Sequence, residues 1–382
     1  MNSNQRILNP LICAPTLGFD ATFALGNYRG MGRYVRQLVE AYPGPSIAFA
    51  PASAFSADDL PWPLIAEGKG PEPVWEQFYL PRLSARSGVD LLLCGFNTAP
   101  IIWRCPPTVL VLHDLIFRYP LFPFKQFQSR RQLAGALYRR IVAPGAVARA
   151  AALLTVSETS RQEICAAYDL PLDRVSVVPN TLPEFWYQDN TAPPTQHCAD
   201  RPYILAVSGA APSKNLYRLI QAFANAQQSD VLRGLNLLVV GVGQLEQVRF
   251  KQFADASGTG ERVVLCPRVS DEELKSLYSN ALLFVFPSTD EGFGIPLLEA
   301  MAVGTPVICS SIPVFHEIGL EHVGYFDPLS IAEIEKALVL GLSRGLDART
   351  QQAATDHART YSFNIKQAQI TDLFKKIISK HL

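Results

Sequence analysis

Short apolar runs that alternate with helical patterns constrain this chain more than any other feature. LLFVF at 282–286, LNLLVVG at 235–241 and VDLLLC at 89–94 are rich in leucine and valine and are followed by glycine-bearing loops and amphipathic stretches. That alternation marks βα units and predicts parallel sheets. In the first half it gives strands at Leu11–Gly18, Ser46–Ala50, Val89–Cys94, Thr108–Leu112, Ala152–Val156 and Arg174–Val178, with helices at Met31–Ala41, Phe127–Ala143 and Glu158–Tyr168. The second half gives strands at Tyr203–Ser208, Leu235–Gly241, Val263–Leu265, Leu282–Phe286 and Pro306–Cys309. Its helices are Leu216–Gln228, Leu245–Ala256, Asp271–Ser279 and Pro296–Val303, and the tail from Ile331 to Leu382 reads as helical. The stretch 182–202 has clustered prolines and no apolar periodicity, and reads as a break between two halves.

With 382 residues, 48% hydrophobic and 18% charged, the chain has material for two cores. The fold expected is α/β: a first parallel-sheet domain over 1–185, a linker over 186–202, a second over 203–362, and a last helix over 363–382. A formal net charge of zero argues against general nucleic-acid binding. Seven cysteines are scattered without a Cys-x-x-Cys pair, as expected for free thiols in a reducing compartment. No apolar run reaches the roughly 18–20 residues that span a bilayer, and MNSNQRILNP lacks a signal-peptide core, so a cytoplasmic location is expected.

Charge is unevenly placed. Residues 115–157 hold Arg118, Lys125, Arg130, Arg131, Arg139, Arg140 and Arg149 and no acidic residue, with Phe117, Tyr119, Phe122, Phe124 and Phe127 among them. A basic, aromatic helical segment suits an anionic membrane surface, and a solvated helix face is the equal alternative. The segment 118–149 is therefore a candidate peripheral membrane contact.

The chemistry concentrates in FVFPSTDEGFGIPLLEAMAVGTPVICSS, residues 284–311. A buried strand enters a polar loop that carries Glu291, and the loop opens a helix with Pro296 in its first turn, where a missing N–H has no partner to lose. The amides of Gly292, Phe293 and Gly294 fall at the positive end of that helix, a place for a phosphate-type anion. Glu299 follows eight positions after Glu291. Two carboxylates beside an anion hole suit a ligand with both hydroxyls and phosphates, as in a nucleotide-sugar.

The string from Glu291 to Ile308 resembles the E-G-F-G-x-P-x-L-E-A-M-A-x-G-x-P-V-I signature of family 4 glycosyltransferases, also called glycosyl transferases group 1, and in particular mannosyltransferase-like members. GAAPSKN (209–215) resembles that family's diphosphate-binding G-x-x-P-R-K-N, with Ser213 in place of arginine. HDL (113–115), GMGRY (30–34), TVSETSRQEI (155–164), VVPNT (177–181, Thr181 replacing glycine) and CPRVSDEEL (266–274) resemble further landmarks. The resemblance implies the GT-B architecture, two Rossmann-like domains facing a cleft, with the last helix crossing back onto the first domain. It places Glu299 on the donor ribose, Glu291 and His113 at the transferred sugar, and Lys214 at the diphosphate. Gly209, Gly292, Phe293, Gly294, Ile295 and Leu298 would complete the donor site, with Arg268 and Val269 at the base. Gly30, Gly32 and Arg33 would face the acceptor. The implied reaction is retaining transfer of a sugar, mannose for instance, from a UDP- or GDP-sugar to a glycan or lipid-linked acceptor in cell-surface polysaccharide synthesis. It needs no cofactor and, in the absence of an Asp-x-Asp motif, no metal. A nucleotide-sugar epimerase of the same fold and a non-catalytic nucleotide-binding scaffold are the alternatives. A glycosidase is disfavoured by the eight-residue separation of the carboxylates, and a dehydrogenase by a lone G-x-G at Gly241–Gly243.

Overall fold

The computed structural model describes residues 14–25, 30–52, 61–118, 130–188, 201–344 and 348–382. In chain order the first half contains β1 (Leu17–Asp20), α1 (Met31–Glu40), β2 (Ser46–Ala50), β3 (Leu64–Ala66), α2 (Glu72–Val74), a π-turn at Trp75–Tyr79, α3 (Leu80–Arg86), β4 (Leu91–Cys94), β5 (Thr108–Val111), α4 (Arg130–Arg149), β6 (Ala152–Thr155), α5 (Glu158–Tyr168) and β7 (Val175–Val177). Its strands form a seven-stranded sheet in the order β3-β2-β1-β4-β5-β6-β7. The second half contains β8 (Tyr203–Val207), α6 (Leu216–Ala226), β9 (Asn236–Val240), α7 (Gln244–Ala256), β10 (Val263–Cys266), α8 (Asp271–Ser279), β11 (Leu283–Phe286), α9 (Ile295–Ala302), β12 (Val307–Ser310), α10 (Pro313–Gly319), β13 (Gly324–Phe326), α11 (Ile331–Arg344), α12 (Ala348–Arg359) and α13 (Phe363–His381). Its sheet has six strands, ordered β10-β9-β8-β11-β12-β13. The described pairings are parallel, as in Ile204↔Leu237 and Phe284↔Val307. Both halves thus have the Rossmann-like build of the GT-B architecture.

By density of contacts the residues group into two compact units. One holds 1–111, 145–152 and 368–382, the other 112–144 and 153–367. In the first, α13 is tied down at two points. Thr371 Oγ1 donates to the Ala41 carbonyl at 2.8 Å, and the buried Phe374 ring meets Tyr42 edge-on at 5.1 Å. In the second, the apolar strands are covered by helices: Ile204, Leu237, Val239 and Val285 share a core with Leu219, Phe223, Phe250 and Leu338. Burying each such side chain contributes about 1.5–3 kcal/mol.

Helix starts follow local chemistry. The Ser157 hydroxyl caps α5 by accepting from the Ser160 amide at 3.0 Å, and Ser270 caps α8 by accepting from Glu273 at 3.1 Å. Three acidic residues in the first turn of α8 complement the helix dipole. Several elements differ from the sequence reading. α4 runs six residues past Ala143, through Pro144, because Ala143, Ala146 and Val147 are buried on one face. That burial offsets the roughly 3 kcal/mol an interior proline costs. β3 was not expected: it is three residues long and preceded by Pro61 and Pro63, as fits an edge strand. α10 and β13 are short and also went unread. Residues 184–188 span the end of the expected first domain and the head of the expected linker, and are pinned. Trp186 is buried against Tyr278, and Lys275 Nζ donates to the Phe185 and Gln188 carbonyls at 2.5 and 2.6 Å. The rest of that linker up to residue 200 lies outside the described residues, as do Leu11–Cys13, the start of the first expected strand.

At the end of β1, Asp20 is buried and its Oδ1 accepts from the Thr22 amide at 2.9 Å. Burial pushes its carboxyl up to about 7, with Glu76 and Glu72 adding to the rise and the Thr22 bonds opposing it. A carboxyl raised in the folded state holds its proton more tightly there than in the unfolded chain. Folded stability is therefore fullest at low pH and declines as pH rises from about 4 to about 7. Asp20→Asn keeps the acceptor and removes the charge. The variant should be more stable than the parent by a few kcal/mol at about pH 8, with the advantage vanishing towards about pH 4. Urea melts across that range test this; a constant offset at every pH would refute the assignment.

Candidate functional site

In the six-stranded sheet the chain leaves β8 towards β9 and later returns to its other side as β11. Strand order therefore reverses between β8 and β11, and open α/β sheets bind ligands beyond the carboxyl ends of strands at such a point. Two loops lie there, 208–215 after β8 and 287–294 after β11. They are stitched together: the Thr289 amide donates to the Ser213 carbonyl at 2.7 Å, and Asn215 Nδ2 donates to the Pro287 and Pro328 carbonyls at 3.0 and 2.7 Å. Asn215 has φ 56°, a left-handed conformation asparagine tolerates, and this turns the chain so that Lys214 projects from the loop. Lys214 Nζ then meets Glu291 Oε1 at 2.5 Å. The pair joins residues 77 positions apart, with side chains 30% and 15% exposed.

The Glu291 loop is held at the next residue. Gly292 lies on the backbone of His113, where a Cβ would come within 2.1 Å of the His113 carbonyl oxygen. The Gly292 carbonyl accepts from the Ser157 hydroxyl at 2.8 Å, and the Ser160 hydroxyl lies 3.1 Å from it and 3.3 Å from the His113 carbonyl. A peptide unit is planar and trans, so its C=O and following N–H point opposite ways. Fixing the Gly292 carbonyl on α5 aims the Phe293 amide away from it. Among the described residues, the amides of Gly292, Phe293 and Gly294 have no acceptor. Gly294 has φ 107° and opens α9, so these donors stand at the positive end of a helix.

A second carboxylate secures α5. Glu317, on α10, accepts from the Glu158 and Thr159 amides at 2.7 and 2.9 Å and from the Thr159 hydroxyl at 2.7 Å. A bidentate carboxylate on two helix-start amides is a charge-assisted contact. Around the Lys214–Glu291 pair the electrostatics are acidic. Asp114 is raised to about 6, by burial first and then by Asp290 and Glu291, against the Ile116 amide and Arg139. Glu163 is raised by burial and by Asp290 and Asp114. The site therefore has an anion-accepting part, made of amides and an ammonium, and a carboxylate-rich part suited to hydroxyl groups.

The structure brings Lys214, Glu291, Gly292, Phe293, Gly294 and the His113 backbone to one place. His113 is buried two residues after the end of β5. Glu299 is buried on α9 and accepts from the Tyr278 hydroxyl at 3.2 Å. Ile295 is the first residue of α9; Phe293 and Leu298 have buried side chains, so a ligand would meet them through the main chain. Gly209 follows β8, and nothing lies within 4 Å of where its Cβ would be. Arg268 and Val269 follow β10, the outermost strand on that side. Gly30, Gly32 and Arg33 belong to the other unit, where Gly30, with φ 58°, precedes α1 and Gly32 is buried. Sequence reasoning passed over Asp114, Ser157, Ser160 and Glu317 as site residues. The first three lie inside motifs it had singled out, whereas nothing local marks Glu317, whose partners lie about 160 positions away.

Comparison with known proteins identifies the family of the chain. The model of Glycosyltransferase Family 4 matches residues 28–183, and that of Glycosyl transferases group 1 matches 188–353. The chain belongs to this glycosyltransferase family. The O-antigen chain mannosyltransferase RfbU of Salmonella typhimurium is 34% identical over 65% of this chain and 64% of its own length. O-antigen chain mannosyltransferase B of Escherichia coli is 29% identical over 56% and 59%. The match thus spans less than two thirds of these relatives. Among solved structures, sucrose-phosphate synthase from Thermosynechococcus elongatus superposes with TM-score 0.73 at 18% identity, covering 96% of this chain and 99% of the other. HepE of Anabaena, solved with UDP-glucose, gives 0.71 at 17% identity, with coverage of 96% and 99%. At those identities the likeness concerns the GT-B fold alone.

The carbonyl anchor predicts a mutational effect. Gly292→Ala should force the loop off the His113 backbone and weaken binding of any diphosphate at the site by at least about tenfold, with the far-ultraviolet spectrum unchanged. Titration with inorganic pyrophosphate measures it, and parental affinity in the variant would remove Gly292 from the anion site.

Proposed function

We propose that the protein is a retaining, metal-independent glycosyltransferase that moves a sugar, mannose for instance, from a nucleotide-diphosphate sugar to a glycan or lipid-linked acceptor. The observation that carries this reading is Lys214 beside the open amides of Gly292–Gly294, at the strand-order reversal, with Glu291 in contact. In the reaction the bond between the anomeric carbon and the diphosphate oxygen breaks, and charge develops on the leaving diphosphate. Lys214 and the amides are donors fixed where that charge appears, the arrangement that lowers the barrier to such departures. Glu291 and Asp114 offer acceptors for hydroxyls of the transferred sugar, and Glu299 for the ribose. The departing phosphate oxygen takes the acceptor's proton as the new glycosidic bond forms on the same face.

The curated relatives named as O-antigen mannosyltransferases support mannose and a cell-surface glycan as the substrate class. UDP-glucose in the HepE complex supports a nucleoside-diphosphate donor in this fold. An anionic membrane surface is part of the same reading. On α4, Leu137 and Ile141 are 40% and 71% exposed beside Arg139 and Arg140, an apolar and basic face suited to lipid. The aromatic part of that segment, 119–129, lies outside the described residues. No described helix is long and apolar enough to cross a membrane. Arg139→Glu with Arg140→Glu should abolish co-sedimentation with vesicles containing phosphatidylglycerol; undiminished sedimentation would remove this face from the account.

The donor assignment is tested by calorimetric titration with UDP and GDP in EDTA. One should bind and the other should not. Glu291→Ala should bind the same nucleotide as well as the parent or better, because Lys214 is released, yet lose transfer by at least about a hundredfold. Glu299→Ala should weaken the nucleotide. Binding of neither nucleotide by the parent would overturn the donor site, and full transfer by Glu291→Ala would overturn the role of Glu291.

A further inference from the structure

A cavity of about 650 Å³ is lined by side chains of α6 and α7, by the loop that precedes Lys214 and by Ile331 at the start of α11. Its size falls in the range of small-molecule sites, roughly 300–1,000 Å³. Neither Lys214 nor Glu291 lines it. Its walls combine two chemistries. Tyr217 is 48% exposed, and its ring is set by Phe250 at 4.8 Å and Phe253 at 5.0 Å, so a rigid aromatic surface stands open to solvent. Around it are the planar polar groups of Arg218, Gln221 and Arg249, and Glu246 adds an acceptor. Two of these groups are already oriented. Arg218 Nη1 donates to Asn215 Oδ1 at 2.9 Å, and Gln221 Nε2 donates to Asn225 at 3.0 Å.

An exposed aromatic ring ringed by fork-shaped polar groups matches one ligand chemistry well. A pyranose presents a C–H face that packs on a ring and an edge of vicinal hydroxyls that pair with guanidinium, amide and carboxylate forks. A purely apolar ligand would take water from the charged groups of Arg249 and Glu246 and offer nothing in return. A phosphate would pair with the guanidinium groups of Arg218 and Arg249, but it would leave the open Tyr217 ring without a partner and would meet Glu246. We propose that this cavity is a carbohydrate-binding subsite for sugar units of the glycan chain, remote from the unit being transferred. The proposal rests on the reading that the substrates are glycans. It deepens that reading by giving the second unit a grip on the polymer itself.

The cavity also shares a residue with the candidate donor site. Asn215 holds Arg218 through Oδ1 and the β11 loop, through the Pro287 carbonyl, by Nδ2. An occupied subsite keeps the growing chain near the site between transfers, so it sets product length rather than the rate of a single transfer.

The test is titration of the full chain with a soluble manno-oligosaccharide, read by saturation-transfer NMR, beside Tyr217→Ala and Arg249→Ala. Both side chains are surface-exposed, so folding is not at stake. The parent should bind, and each variant should lose at least about tenfold in affinity. Both should keep the parental affinity for the nucleoside diphosphate, transfer to a monosaccharide acceptor at the parental rate, and make shorter products from a polymeric one. Oligosaccharide binding unaffected in both variants would overturn the subsite. So would no oligosaccharide binding by a parent that still binds nucleotide, which would leave the donor reading in place. Failure to bind either ligand would overturn both.

Discussion

The site depends on one carbonyl group. The Gly292 oxygen is taken by Ser157 and Ser160 on α5, and the glycine itself lies flat on the backbone of His113, where no side chain fits. Everything that makes the following residues useful comes from that attachment. The planar peptide turns the Phe293 amide outward, Gly294 takes up its left-handed conformation, and α9 begins with donors that no described residue accepts. The serines are themselves kept in place by other means. Ser157 caps its own helix, and Glu317 neutralises that helix's positive end from α10. The chemistry of a loop is thus set by residues on α5, α10 and the strand end at His113, with side chains locked by hydrogen bonds of ordinary length.

The distribution of charge explains why the two carboxylates of the signature are not interchangeable. Glu291 is in contact with a cation and among other acids, partly open to water. Glu299 is enclosed on α9 with a tyrosine hydroxyl as donor. One is placed to trade partners, the other to hold a fixed one. The acids around Glu291 also keep Asp114 within reach of protonation near neutral pH, because burial and like charges both oppose its ionisation.

Most of the second sheet was legible in the sequence. Asp271–Ser279 was read with its bounds, since a serine cap and three acids announce its start, and the apolar strands were placed to within a residue or so. What escaped were elements without a local signal. β3 and β13 are three residues each, too short for periodicity to register. The continuation of α4 through Pro144 runs against propensity and is decided by burial that only the folded chain supplies. At the site, Lys214, Glu291 and the glycine run could be named because spacing along the chain carries them. Their coming together could not, because an ion pair across 77 positions and a clamp across about 160 are products of strand order. The signal for Ser157 and Ser160 was present as a motif, but its partner, a main-chain oxygen, has no sequence signature.

The Lys214–Glu291 pair has a thermodynamic consequence. With the lysine already satisfied, an incoming anion cannot simply add to it. It must take the place of a carboxylate that remains tethered nearby at high effective concentration. Arrival is therefore a substitution, and the tethered competitor is always ready to reclaim the ammonium when the anion's charge or grip changes. Such a pair gives up affinity in exchange for quick departure. A site of this kind is made for many short visits rather than one long one.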